Sequence, residues 1–179
     1  MGFDFNITIV GLGLIGGTYA EALKTLNPKN LWAMDIDEET LRYAEEKGMI
    51  DKGYTSGEEP LKNSDIIIIS LYPDLTLQFI KDNMEHFKSG AIITDAVGIK
   101  ENIINNINAV LRDDLDFVGG HPMAGRETSG VKSACKDIFK GANYIITPTD
   151  TNKKENIDLV EDMARKMGFA KIVKIDPRT

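Results

Sequence analysis

The chain has 179 residues with 28 acidic and 21 basic side chains, a net charge of -7, two histidines and one cysteine. That length carries one domain with a core that needs neither disulfides nor metals, and the scattered lysines argue against a nucleic-acid groove or an anionic membrane surface as a partner. No stretch approaches the ~20 apolar residues of a membrane span, and MGFDFNITIVG is no leader, so a reducing, cytoplasmic setting is expected, with Cys135 a small buried residue on a helix face.

Taken in order, short apolar runs alternate with amphipathic ones. NITIV (6–10) reads as a strand and Ile15 to Leu26 as a helix stopped by Asn27-Pro28. LWAMDI (31–36) is the second strand, and Glu38 to Lys47 a helix stopped by Gly48. Residues 51–63 form the longest candidate for irregular structure. DIIIISL (65–71) and AIITD (91–95) are strands followed by helices over Leu75 to Phe87 and Lys100 to Leu111. In the latter, Ile103, Ile104, Ile107, Val110 and Leu111 make a single apolar stripe. DFVGG (116–120), NYIITP (143–148) and KIVKI (171–175) complete the strands, with helical patterns at Val131 to Phe139 and Lys153 to Met167. Near-continuous β-branched runs are what strands covered on both faces require, so the alternation implies one α/β domain over 1–179 with a doubly wound, mostly parallel sheet.

The first strand runs into GLGLIGG and then directly into a helix. Gly11, Gly13 and Gly16 have the spacing that lets a chain turn tightly, approach a pyrophosphate and pack a helix closely, with Leu12, Leu14 and Ile15 between them offering backbone N–H groups at a helix N-terminus. The second strand ends at Asp35, nineteen residues past Gly16. A carboxylate there accepts hydrogen bonds from ribose hydroxyls and repels a 2′-phosphate, which favours NAD over NADP. Methyltransferases use a similar turn and acidic residue and compete on these residues alone. Ser70, Tyr72 and Pro73 end the third strand, where ligands sit in open α/β sheets, and are expected to line the cofactor cleft.

GGHPMAGRETSG (119–130) places His121 in a glycine-rich polar segment. A neutral imidazole, whose reference pKa is about 6.5, suits the uptake of a hydroxyl proton during hydride transfer. His86, on KDNMEHF, reads as structural or solvated. GLGLIGG, the third-strand run DIIIISLYP, TDAVGIK, and FVGGHPMAGRETSG followed by KDIFKGANYIITPT together resemble the prephenate and arogenate dehydrogenases, over about Ile7 to Asp176.

The resemblance implies a Rossmann-like NAD(P) domain and oxidative decarboxylation of prephenate to 4-hydroxyphenylpyruvate in tyrosine biosynthesis, with His121 contacting the ring hydroxyl. It also implies a substrate-mouth role for Glu127, beside which Arg126 could pair a substrate carboxylate. The family pattern at TDAVGIK is Asp-x-Gly-Ser-Val-Lys, so Gly98 stands where a serine hydroxyl is expected; either Thr94, Ser129 or a water replaces it, or catalysis is weakened, or the ring substrate differs. Lys100 reads equally as a solvated residue or a ligand contact. Family members continue into a helical domain that dimerises and adds substrate contacts, and this chain stops before it. Arogenate as substrate, a non-catalytic dinucleotide-binding module, and another hydroxy-acid or imine oxidoreductase remain the alternatives.

Overall fold

A computed structural model describes residues 2–98, 101–125 and 127–178. The strands are β1 (Phe3–Val10), β2 (Pro28–Met34), β3 (Lys52–Tyr54), β4 (Ile66–Ile69), β5 (Ile92–Asp95), β6 (Asp116–Met123), β7 (Asn143–Thr147) and β8 (Lys171–Lys174). The helices are α1 (Leu14–Lys24), α2 (Glu38–Glu46), α3 (Glu58–Asn63), α4 (Pro73–Asp82), α5 (Glu101–Asn108) and α6 (Lys154–Lys166). All strands join one sheet in the order β3-β2-β1-β4-β5-β6-β7-β8, parallel except for the β6–β7 pair. Chain order reverses between β1 and β4, and the crevice at their carboxyl ends is where such sheets bind ligands.

Each face of the sheet buries its own core. Ile7, Ile9, Ile66 and Ile68 pack with Tyr19, Leu23, Phe139 and Tyr144 on one side. Ile67, Ile69, Ile93 and Phe117 pack with Ile80, Ile103, Ile104 and Ile107 on the other. Alternate isoleucines of β4 therefore serve opposite layers, and all four are buried, which is why the strand reads as a continuous apolar run.

Several expectations are corrected. Residues 51–63 are not irregular: β3 pairs with β2, its Gly53 lying flush against Leu41, and α3 follows. The segment Val131 to Phe139 is not one helix but two 3-10 turns, Val131–Ser133 and Lys136–Ile138. Its backbone N–H groups at Cys135 and Lys136 are drawn toward Thr18 Oγ1 (3.4 Å) and Glu21 Oε1 (3.3 Å) of α1, so tertiary contacts override the local helical pattern. Cys135 consequently lies between turns and is only half-buried. Val110 falls beyond α5 and is 40% exposed, outside the apolar stripe.

α1 sits hard against the sheet because two positions lack side chains. Gly11 has φ +93°, and a Cβ there would stand 2.5 Å from Ser70 O; a Cβ on Gly16 would stand 1.7 Å from Gly11 O. Gly16→Ala is expected to lower unfolding free energy by about 1–3 kcal/mol, as overpacking against immobile backbone does. A urea-denaturation midpoint equal to that of the parent would contradict this contact.

Candidate active site

At the switch point the loop after β1 is tied to the end of β2. Gly11 N–H donates to Met34 O (2.8 Å), and Leu12 N–H donates to Asp35 Oδ2 (2.8 Å). Asp35 Oδ1 accepts from Asp37 N–H (2.9 Å). The carboxylate is thus oriented by backbone donors while remaining half-exposed. Gly13 is the N-cap of α1, with no side-chain cap, and a Cβ built on it meets nothing within 4 Å. Leu14 and Ile15 open the helix beside it, so the first-turn N–H groups and the positive dipole end face open space, the arrangement that receives a phosphate.

Beside this loop lies a cavity of about 520 Å³, lined by Gly11, Asp35, Ile36, Leu71, Leu75 and Phe79 among others. Ile36 is 95% exposed and Leu75 54%. Large exposed apolar side chains at a cavity mouth offer flat walls to a ring. Ser70, Tyr72 and Pro73 are not on that lining: Ser70 N–H donates to Val10 O (2.7 Å) and its carbonyl abuts Gly11, Tyr72 is the exposed N-cap of α4, and Pro73 begins that helix. The sequence pattern gave no hint of Ile36 or Leu75 as a pair, since they meet only through the fold.

His121 lies in a strand rather than a loop. β6 pairs with β5 only through Val118 and runs on to Met123 paired with β7 alone, His121 opposite Ile145. Beyond Val118 the β5 side of β6 has no strand partner, an edge setting that tolerates Pro122. Into that gap comes the loop after β5, where Ala96 O lies 3.3 Å from His121 Nδ1. A carbonyl only accepts, so Nδ1 carries the proton in this bond and Nε2 keeps the basic lone pair.

The loop and the strand are fixed to each other by Asp95, the last residue of β5. Its side chain is fully buried, accepting from Gly120 N–H at Oδ1 (3.0 Å) and from Val97 N–H at Oδ2 (3.2 Å). An aspartate ending an otherwise apolar strand was the visible signal for such a role. Gly98 then passes directly over the ring: a Cβ there would stand 3.4 Å from Nε2 and Cε1 of His121. The hydroxyl of Thr94 is turned the other way, under Gly120. Ser129 and Glu127 are exposed, and no hydrogen bond joins either to His121 among the described residues. Arg126 and Lys100 lie outside the described residues. His86 is half-buried after α4, away from these elements in the chain. No helix among the described residues is long and apolar enough to cross a membrane.

A doubly wound sheet, a bare helix N-terminus at its switch point and an acidic residue ending β2 define a nucleotide-binding α/β domain. More particularly, the chain belongs to the family described as prephenate dehydrogenase, nucleotide-binding domain, which it matches over residues 19–174. The match begins after the glycine loop and rests on the rest of the domain. The chain is 33% identical over 165 residues to the prephenate dehydrogenase of Bacillus subtilis, covering 89% of this chain and 44% of that protein. With that of Lactococcus lactis it shares 34% over 155 residues, covering 84% and 43%. Among solved structures, prephenate dehydrogenase from A. aeolicus, in complex with hydroxyphenyl propionate and NAD+, superposes with a TM-score of 0.89 at 27% identity, covering 99% of this chain and 62% of that one. Synechocystis arogenate dehydrogenase gives 0.88 at 27%, covering 96% and 59%. The chain spans about half the length of the curated relatives it matches.

Replacing Asp95 by asparagine sets an amide NH₂ against one of the two backbone N–H donors. Asp95→Asn is expected to cost about 1–3 kcal/mol, the penalty of a buried donor left unsatisfied. Amide hydrogen exchange should quicken at Gly120 and Val97 before it does in β1, and uniform exchange throughout would remove Asp95 from this role.

Proposed function

We propose that this chain is the NAD-binding and catalytic-histidine portion of a cytoplasmic dehydrogenase that oxidatively decarboxylates prephenate, a step toward tyrosine. The observation that carries the reading is the placement of His121, its Nδ1 held by Ala96 O and its Nε2 open, on a strand extension at the same carboxyl end of the sheet as the glycine loop. NAD fits the residues present: Gly13 leaves a bare cradle at the α1 N-terminus, and Asp35 faces it with a carboxylate already oriented by Leu12 and Asp37. Ile36 and Leu75 supply the walls for an adenine ring.

When bound, the nicotinamide supplies a hydride acceptor. The protein's own part is to take the proton from the ring hydroxyl at His121 Nε2 as hydride leaves the same carbon, and to keep the imidazole in the tautomer that can do so. Loss of the ring carboxylate as CO₂ then makes the ring aromatic, which renders the oxidation practically irreversible. Glu127 and Arg126 belong to the segment that follows His121 and are assigned to the substrate mouth. The remainder of the full-length protein supplies the other wall of the substrate pocket and the dimer contact.

The first test is calorimetric titration of this chain with NAD⁺ and with NADP⁺. NAD⁺ should bind saturably and more tightly. Asp35→Asn is expected to weaken NAD⁺ by about tenfold to a hundredfold, the worth of a charged hydrogen bond of about 1.5–3 kcal/mol, and to narrow the gap to NADP⁺. In the complete protein, His121→Asn should lower prephenate turnover by about 10²–10⁴ with NAD⁺ affinity retained, as loss of a general base does. Equal turnover by the variant would remove His121 from the chemistry, and turnover of arogenate in preference to prephenate would reassign the substrate.

A further inference from the structure

On the face of β6 opposite His121, three hydroxyl groups are buried without an aligned hydrogen bond: Tyr19 on α1, Thr94 on β5 and Tyr144 on β7. Both tyrosines and Thr94 are fully buried. The space beneath Gly120 is filled by two of them, since a Cβ built there would stand 2.2 Å from the Tyr144 phenol oxygen and 3.0 Å from Thr94 Oγ1. Gly120 is the residue whose N–H Asp95 holds, and it immediately precedes His121.

A phenylalanine would fill the same ring volume against Phe169 and within the same core as Ile146, so what the oxygen adds is its contact with the Tyr19 and Thr94 hydroxyls and with Gly120. Burial together with the nearby Asp95 carboxylate pushes the Tyr144 phenol up to about 12, so it stays a neutral, fixed group throughout the working range of an imidazole. What the oxygen does is meet the β6 backbone from below at Gly120, where no side chain intervenes.

We propose that Tyr144 is a positioning residue for His121: its phenol oxygen, seconded by Thr94 Oγ1, is the surface on which the Gly120 backbone rests. From above, Asp95 draws the same peptide toward β5. The two together fix the height of His121 against Ala96 O, a contact long enough at 3.3 Å to be lost by a small shift. Tyr19 touches the cluster from α1 but is not among the atoms nearest Gly120, so its hydroxyl is a step removed.

The inference rests on His121 as the proton acceptor only for its effect on turnover, and the test separates the two. With only two histidines in the chain, the imidazole nitrogens of His121 can be assigned by ¹⁵N NMR against a His86→Gln reference. Tyr144→Phe keeps the ring and its packing against Phe169 and should fold with a cooperative melting transition. It should raise the Nε2–H tautomer fraction of His121, while Tyr19→Phe should move it less. In the complete protein, Tyr144→Phe should lower kcat by about tenfold or more with NAD⁺ affinity unchanged, the scale on which misplacement of a catalytic group acts. Thr94→Val serves as the second variant, with a smaller shift in the same direction. Unaltered His121 ring signals in folded Tyr144→Phe would overturn the proposal. Altered ring signals with no effect of His121→Asn on turnover would uphold the positioning and overturn the function instead.

Discussion

The structure depends on how closely α1 approaches the sheet. Gly16 stands where any side chain would run into Gly11 O, and Gly11 where one would run into Ser70 O, so helix, β1 and β4 are locked at backbone contact. That contact bares the helix N-terminus toward the crevice. It also fixes the rest of α1: Gly17 lies flush against Ala134, Thr18 and Glu21 meet the backbone of Cys135 and Lys136, and Tyr19 reaches the hydroxyl cluster beneath β6. One helix therefore bears on both the nucleotide cradle and the underside of the histidine strand. A shift of α1 would be felt at both, because packed interiors transmit displacement rather than absorb it.

The histidine strand gains its geometry from a mismatch of lengths. β5 ends at Asp95 while β6 continues to Met123, leaving a stretch of β6 with one sheet neighbour and one open edge. An open edge exposes polar backbone and tolerates a proline, and both features appear here. Asp95 answers part of the first by taking the Gly120 N–H, and Pro122 has no N–H to lose. The antiparallel β7 supports the other side, so the segment bearing His121 is held like a strand although its composition, GGHPMAG, is that of a loop.

This is where the sequence was least legible. The doubly wound architecture followed from alternating apolar runs, and the glycine spacing with Asp35 identified the switch point, because those signals are local. Pairing of β6 with β7 is not local, and glycine and proline in the strand read as turn residues. The same holds for Val131 to Phe139, whose helical pattern yields to contacts with α1, and for β3, where three residues carry too little periodicity to register. Asp95 was visible as a charge ending an apolar strand, but Ala96 enters through its carbonyl, which no side-chain pattern reports. Tyr144 read as part of an ordinary strand, NYIITP, and its hydroxyl acquires meaning only beneath Gly120.

The imidazole is left asymmetric by this arrangement. Nδ1 is engaged by Ala96 O, which commits the proton to that side, and Nε2 faces the place where Gly98 presents no side chain. A carbonyl at Nδ1 stabilises both the neutral tautomer and the cation formed on proton uptake, as it accepts from N–H in each. A side chain at position 98 would crowd Nε2. Glycine leaves it to the crevice, so among the described residues the ring is oriented by Ala96 O and by the backbone of β6 with the groups that hold it. Gly98, without a hydroxyl, on one side of the histidine and the Tyr144 and Thr94 hydroxyls beneath Gly120 on the other are thus two sides of one arrangement: the imidazole is aimed by its own strand together with the Ala96 carbonyl.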